Sequence, residues 1–407
     1  MKKQLLIAGL ALLSLTMITT SCSKDDNSTE QQIVKSDVAI TLKNADVKSY
    51  KAVTVEILEI NSGKKVEKIV KENSLTIQLD KGSYKIAVNG TVVLNNGEEV
   101  QVGGNKEINI NSAKQEVSID LFIKAFSEDF IIEEVFFTGV KTLEGKQYTG
   151  GRYFKLINNT EKVLKTGGLL VLQSEFNTSL DHKVTPNIVN EAFAVQAVLM
   201  IPEEYSKEVQ PGDFIVIADM ATNHNKANIP AFDLSKADYE YPNLDNPKLG
   251  QVDNPAVPNA QVIYTAMAFN MFFLHDRGYE SWAIARFPKG MTKEAWMTSY
   301  KYDYSYINAA NRETKKSSYK IPNEWIIDGV NSCAIEKWEH NPLGASIDSG
   351  WTGCGTIESD PTRFGKTIRR KVVGQMANGK NLYKDTNNST ADFNRDSQSS
   401  LVMGIVH

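Results

Sequence analysis

Between residues 37 and 124, apolar positions recur at every second residue in short runs. Val38-Ala39-Ile40-Thr41-Leu42, Val53-Thr54-Val55-Glu56-Ile57-Leu58-Glu59-Ile60 and Leu75-Thr76-Ile77-Gln78-Leu79 keep that period, as do Tyr84-Lys85-Ile86-Ala87-Val88 and Val117-Ser118-Ile119-Asp120-Leu121. Successive side chains point to opposite faces of a strand, so period two buries one set and leaves the other in water. Asn61-Ser62-Gly63, Lys81-Gly82 and Asn95-Asn96-Gly97 supply turns between the runs. Half-buried strands at this spacing predict an antiparallel sandwich of roughly seven strands over residues 36–126.

Beyond residue 127 the apolar runs become more continuous. Phe130-Ile131-Ile132-Glu133-Glu134-Val135-Phe136-Phe137 opens this part, and Tyr153-Phe154-Lys155-Leu156-Ile157-Asn158-Asn159 follows a Gly-rich turn. Gly168-Leu169-Leu170-Val171-Leu172, Phe214-Ile215-Val216-Ile217-Ala218 and Trp282-Ala283-Ile284-Ala285-Arg286 read as further strands. Short helices are expected at 187–194 and 292–297, and long polar loops separate the strands, above all around 223–260. The chain is therefore predicted to be mainly β, a second and larger β unit filling residues 127–407. No solenoid or propeller repeat is visible.

The start of the chain has a different pattern. Lys2 and Lys3 precede a 14-residue apolar run at 5–18, and Thr20-Ser21 lead to Cys22. A basic start, a short apolar stretch and small residues before a cleavage point form a secretory signal, 1–21, too short to span a bilayer. The placement of Cys22 looks like a bacterial lipobox, in which that cysteine is lipidated and becomes the mature N-terminus. Residues 22–35 are polar and read as a flexible tether. Removing Lys2 and Lys3 with the signal leaves 43 basic against 49 acidic residues, a net charge of −6. Nucleic acid is not expected as a partner, because phosphate binding needs a clustered basic surface. Cys333 and Cys354 remain for a compartment where disulfides persist. Paired, they would close a loop of about 20 residues, worth roughly 3 kcal/mol in the chain-entropy model; two buried thiols are the competing reading, and the disulfide is the expectation.

Several segments resemble known families. Asp80-Lys81-Gly82-Ser83-Tyr84-Lys85-Ile86 looks like the closing hairpin of a transthyretin-like or carboxypeptidase-regulatory-like domain. Ser23-Lys24-Asp25-Asp26 resembles the tag of Bacteroidetes lipoproteins exported to the outer face of the outer membrane. Ile132-Glu133-Glu134-Val135-Phe136, Asn223-His224-Asn225, the block from Phe232 to Glu240, Asp253-Asn254-Pro255-Ala256-Val257-Pro258-Asn259, the strand from Gly365 to Lys371 and the turn from Asp385 to Phe393 are together similar to a family of Bacteroidetes lipoproteins of unknown function, domain of unknown function 4876. That resemblance implies an immunoglobulin-like N-terminal sandwich and a lamin-tail-like C-terminal β-sandwich with long insertions. It implies no catalytic residues, and lamin-tail-like modules generally anchor or bind.

Candidate chemistry is sparse. The 223–259 loop holds His224, Asp233, Asp238, Glu240, Asp245 and Asp253. Carboxylates and Asn carbonyls suit calcium, and His224 with carboxylates suits another divalent metal; alternatively these side chains cap turns and tie the loop to its own backbone. Tyr300, Tyr302, Tyr304 and Tyr306 fall at period two, a shared face that serves either an aromatic contact surface or core packing. Asp392-Phe393-Asn394-Arg395-Asp396 begins like a calcium loop but has Ser397 where glycine belongs and Met403 where the glutamate belongs. His275 and Asp276 would point to opposite faces of a strand. No phosphate loop, His-Glu-x-x-His, Gly-x-Ser-x-Gly or Cys-x-x-Cys occurs.

The expectation is a non-enzymatic lipoprotein at the outer face of the outer membrane, and the resemblance to Bacteroidetes lipoproteins implies, by analogy, a role in capturing a nutrient or metal beside a TonB-dependent transporter. A glycan hydrolase using carboxylates of the 223–259 loop, and an adhesive surface module, are the alternatives.

Overall fold

The structure, a computed structural model, describes residues 35–95, 97, 99–123, 127–308, 310–376 and 378–407. The expected signal, Cys22 and all of the tether except Lys35 lie outside the described residues.

The first β unit packs a three-stranded sheet on a five-stranded one. Strand Ser36–Lys43 carries Val38, Ile40 and Leu42 inward and sits between Ser74–Leu79 and Lys114–Asp120. Lys65–Val70, Val47–Glu59, Gly82–Leu94, Glu99–Ile110 and the short Phe122–Ile123 make the other sheet. Val53, Val55, Ile57, Ile86 and Val88 meet the first sheet from that side, as period two dictates. Two details differ from expectation. The first and last long strands pair in parallel, from Asp37↔Lys114 to Lys43↔Asp120, because the intervening chain crosses to the other sheet and back. For the same reason Asp80-Lys81 is a corner between sheets and closes no hairpin: Ser74–Leu79 and Gly82–Leu94 belong to different sheets.

The second unit is a larger sandwich. One sheet runs in the order Tyr239–Glu240, Phe214–Ala218, Tyr153–Ile157, Ile131–Phe136, Lys366–Arg370, Phe393–Gln398. The other runs Lys301–Ile307, Glu313–Pro322, Ala192–Met200, Leu169–Ser174, Ser281–Arg286, Ile326–Asn331, with Gln261–Thr265 also paired to Ala192–Met200. Between them lie Phe130, Ile132, Phe154, Leu156, Val171, Leu199, Trp282, Ile284, Val330 and Ile368. Loops cover the outer faces as well. Phe136, Tyr153 and Val216 pack under Phe232, Leu234 and Leu401, while Leu170, Phe193 and Ala283 pack under Trp296 and Leu343. Strands buried on both sides read as continuous apolar runs, which explains residues 130–137.

That double burial also encloses charges, and they are paired. Arg370 donates to Asp328 Oδ2 at 2.5 Å, Asp385 Oδ1 at 3.1 Å and the Ile132 carbonyl at 2.8 Å. Lys155 meets Glu133 at 2.9 Å.

A helix forms at Lys293–Ser299, where the Thr292 side chain caps the Ala295 amide. The helix expected at 187–194 is absent. A turn closed by Glu191 and Ala192 amides on the Ile188 carbonyl leads into strand Ala192–Met200, whose pairing from Ala192↔Pro322 to Val195↔Tyr319 outweighs an ambiguous local pattern.

Candidate functional site

The central loop does not gather its ligand-type residues around one point. His224 is buried, with Nδ1 accepting from the Tyr148 hydroxyl at 2.7 Å and Nε2 donating to the Met220 carbonyl at 2.9 Å. Burial lowers its pKa, so the neutral ring uses both nitrogens structurally. Asp233 caps the Ser235 amide and hydroxyl. Asp238 takes Lys207 Nζ and the Val216 amide, each at 2.9 Å. Glu240 accepts the Ala221 amide at 2.8 Å, and Asp253 accepts from Asn259 at 3.0 Å, while Asp245 is exposed in a turn. Among the described residues no set of three or more His, Cys, Asp or Glu side chains could hold a metal. The arrangement gives the calcium or divalent-metal expectation no support: backbone amides, which an acceptor-rich loop must satisfy, occupy Asp233, Asp238 and Glu240.

Two other expectations change. Cys333 and Cys354 are buried and unpaired. Ser332 and Thr352 form a parallel bridge, so the two segments lie side by side, yet the two cysteines join different clusters. Cys354 enters the inter-sheet core with Trp282, whereas Cys333 packs with Tyr279, Ala334 and Trp351. The tyrosines are a packed ladder. Tyr302 and Tyr304 are buried, ring centroids 5.2 Å apart, with Tyr306 continuing the stack at 6.4 Å. Their hydroxyls reach the Pro186 carbonyl and Glu175. Tyr300, at the helix end, packs the other way against Trp325.

A site absent from the sequence expectations opens at one end of the second sandwich. Strands Tyr153–Ile157 and Phe214–Ala218 end their ladder at Tyr153↔Ala218. The next pair in register, Arg152 and Asp219, lies beyond the ladder and is joined by the Asp219 amide on the Arg152 carbonyl at 2.9 Å. Alternation places Arg152 on the Phe154 side, facing the inter-sheet space. There a cavity of about 450 Å³ remains, lined by Arg152, Asp219, Tyr148, Met220, Tyr241, Met271, Phe272 and Phe273 among others. The stretch from Pro242 to Gln251 walls it, held by Gln251, which accepts the Leu244 amide at 2.7 Å and donates to the Pro242 carbonyl at 2.6 Å. Gly151 shapes the approach: its φ of +80° suits glycine, and a Cβ there would stand 3.3 Å from the His224 ring.

The electrostatics of the cavity are unusual. Arg152 is 8% exposed, and its side chain has no hydrogen-bond or ion-pair partner among the described residues; Nε is buried and unpartnered. Burial lowers its pKa, partly offset by Asp219. The buried Tyr241 hydroxyl also lacks a partner, its ring edge-on to Phe272 at 4.9 Å. Asp219 Oδ1 accepts the Gly151 and Met220 amides, and burial pushes its carboxyl up to about 7. Behind the wall, Glu280 accepts the His275 amide and the Trp282 indole N–H and is likewise pushed up to about 7 by burial. A guanidinium in the interior register of a strand was the available signal in the sequence. Lys155, one strand position from apolar Phe154 and Leu156, carries the same signal and is merely an ion pair, so pattern alone could not single out Arg152.

The fold so defined is a β-sandwich protein of two packed units with a polar-headed cavity at one end of the second. Residues 210–400 match the model of a family described as protein of unknown function, DUF4876. This segment includes Asp219, Tyr241 and Phe272 but starts after Arg152. The crystal structure of a DUF4876 family protein from Bacteroides thetaiotaomicron VPI-5482 is similar over 90% of this chain and 95% of that one, with a TM-score of 0.56 at 20% identity, a likeness of fold. A candidate adhesin from Bacteroides ovatus ATCC 8483 aligns over 75% of this chain and 88% of its own at 10% identity, with a TM-score of 0.19 that carries no argument. No curated protein matches the chain. The lamin-tail part of the resemblance is not carried by these matches.

Proposed function

We propose that the chain is a non-enzymatic binding protein whose ligand occupies the cavity at the end of the second sandwich. The observation that carries this reading is Arg152, a buried charged donor whose side chain has no hydrogen bond among the described residues, in a cavity that Met220, Leu244, Leu249, Met271, Phe272 and Phe273 also line. Buried polar groups are ordinarily satisfied, and an unsatisfied one in a concave apolar site is where a ligand group belongs. Lipidation at Cys22 would hold the protein to the outer membrane with its sandwiches facing the exterior, beside a TonB-dependent transporter that receives the cargo. The hydrolase alternative requires two carboxyl groups across a cleft, and Asp219 is the carboxyl residue among those lining this cavity. The adhesive alternative loses its tyrosine face to the packed ladder.

A thermal-shift survey of small metabolites tests the binding reading. Stabilisation by a ligand that is lost on Phe272→Ala supports it, and a survey with no stabilising compound counts against it. Labelling with a fatty-acid probe in wild type and Cys22→Ala checks the anchor. Cross-linking on intact cells that recovers no outer-membrane barrel would remove the transporter from the proposal.

A further inference from the structure

We infer that the cavity selects a small organic monoanion, a carboxylate on an apolar or aromatic body, with the carboxylate held by Arg152 and the Tyr241 hydroxyl. This rests on the cavity being a binding site and names the class of ligand it takes.

The inference follows from what is left unpaired. A guanidinium stays charged and its planar fork matches a carboxylate in two parallel hydrogen bonds. Arg152 and Tyr241 are both more than nine-tenths buried, both line the cavity, and neither the Arg152 side chain nor the Tyr241 hydroxyl has a hydrogen-bond partner among the described residues. Several neighbouring polar groups are already engaged. Asp219 Oδ1 holds two backbone amides, Glu280 holds the His275 amide and the Trp282 indole, and Asp276 pairs with Arg363 at 2.6 Å. His224 is neutral and bonded at both nitrogens, and Tyr148 donates to it. Arg152 is the single cationic residue among those lining the cavity, which favours one negative charge over a phosphate dianion. Met220, Met271, Phe272, Leu244 and Leu249 supply apolar wall for the rest of the ligand.

The same groups set a pH dependence. Ionised Asp219 competes for Arg152, and its carboxyl titrates near 7, so the anion binds more tightly below that pH and more weakly above it. Glu280, behind the wall, acts in the same sense.

Calorimetric titration of the purified full chain with benzoate, phenylacetate, benzamide and inorganic phosphate tests the assignment. The aromatic carboxylates are expected to bind at least tenfold more tightly than benzamide or phosphate. Arg152→Gln abolishes that preference in a chain whose melt shows it folded, and Tyr241→Phe weakens carboxylate binding severalfold. Should Arg152→Gln not fold, the wild type decides: benzoate affinity falls between about pH 6 and about pH 8 while benzamide stays flat. Benzamide binding as well as benzoate, or a preference that survives Arg152→Gln, overturns the anion assignment and leaves the cavity a binding site. Failure of every probe, charged and neutral, at millimolar concentration, together with no hit in the metabolite survey, overturns both.

Discussion

Replacing Arg152 by Met should make the protein more stable. A charge taken out of water without a partner costs several kcal/mol, and replacing buried charges by apolar groups of similar volume has stabilised other proteins by about 1–4 kcal/mol. Arg152 is 8% exposed, its Nε is sealed from solvent and its side chain has no hydrogen bond. Two features moderate the cost. Arg152 lines a cavity that water can enter, and Asp219 offsets part of the charge. The lower half of that range, about 1–2 kcal/mol, is therefore expected, or a rise in Tm of about 2–8 °C for a unit of this size. The assay is calorimetric melting of wild type and Arg152→Met without ligand, at a pH where Asp219 is protonated. A lower Tm for the variant would refute the reasoning, because it would mean the guanidinium is compensated within the fold and not held in reserve for a ligand.

Arg370→Met is the counter-case. Its guanidinium bonds Asp328, Asp385 and two carbonyls, and removal strands buried carboxylates, so urea denaturation should show a loss of about 3–5 kcal/mol; a loss under 1 kcal/mol would contradict the pairing. With no reductant present, Cys333 and Cys354 should resist alkylation in the native state and both react in denaturant, burial having raised both thiol pKa values; a mass consistent with a blocked pair would restore the disulfide. Asp219 and Glu280 titrate near 7 when folded, above the ordinary carboxyl range near 4. Native protein then binds protons that the unfolded chain releases, so the stability these groups contribute is full below about pH 4 and is lost as pH rises to about 7. Glu280→Gln should flatten that slope by up to about 1.4 kcal/mol per pH unit in chemical denaturation, and an unchanged slope would remove Glu280 as its source. Chelator should leave the melt of the full chain unchanged, since backbone amides hold the carboxylates of the 223–259 loop; a lowered Tm would reinstate a metal there.

Much of the architecture was legible because burial writes itself into period. Val38, Ile40 and Leu42 alternate with polar residues, and they face the core of the first sandwich. The run at 130–137, apolar apart from Glu133 and Glu134, read as the opening strand of the second unit, and Ile131–Phe136 is a strand buried along its length. Thr292 ahead of Lys293–Ser299 announced a helix start. Local pattern failed where the answer depended on partners distant in sequence. Ala192–Met200 is a strand because Ile321 and Tyr319 wait beside Phe193 and Val195, and nothing within residues 187–194 says so. The parallel pairing of Ser36–Lys43 with Lys114–Asp120 depends on how the chain crosses between sheets.

Chemistry was less legible than fold. The acidic 223–259 loop reads equally well as a metal site or a set of caps, since the same carboxylate oxygens serve either, and only the positions of the Ala221, Val216 and Ser235 amides decided for capping. The cysteines are close in sequence and in space, but the faces they occupy, one in the inter-sheet core and one against Tyr279, were set by tertiary packing. Composition and period alone determined a mainly β chain of two sandwich units, with no strongly basic face and no recognisable catalytic motif. Tertiary structure alone decided that the Arg152 side chain, unlike Lys155 or Arg370, makes no hydrogen bond or close ion pair among the described residues. A ladder ends at Tyr153↔Ala218, and the guanidinium just beyond it lines a cavity walled in part by Met220, Leu244, Leu249 and Phe272. Whether a charge is paired depends on three-dimensional neighbours, which hydrophobic period does not encode.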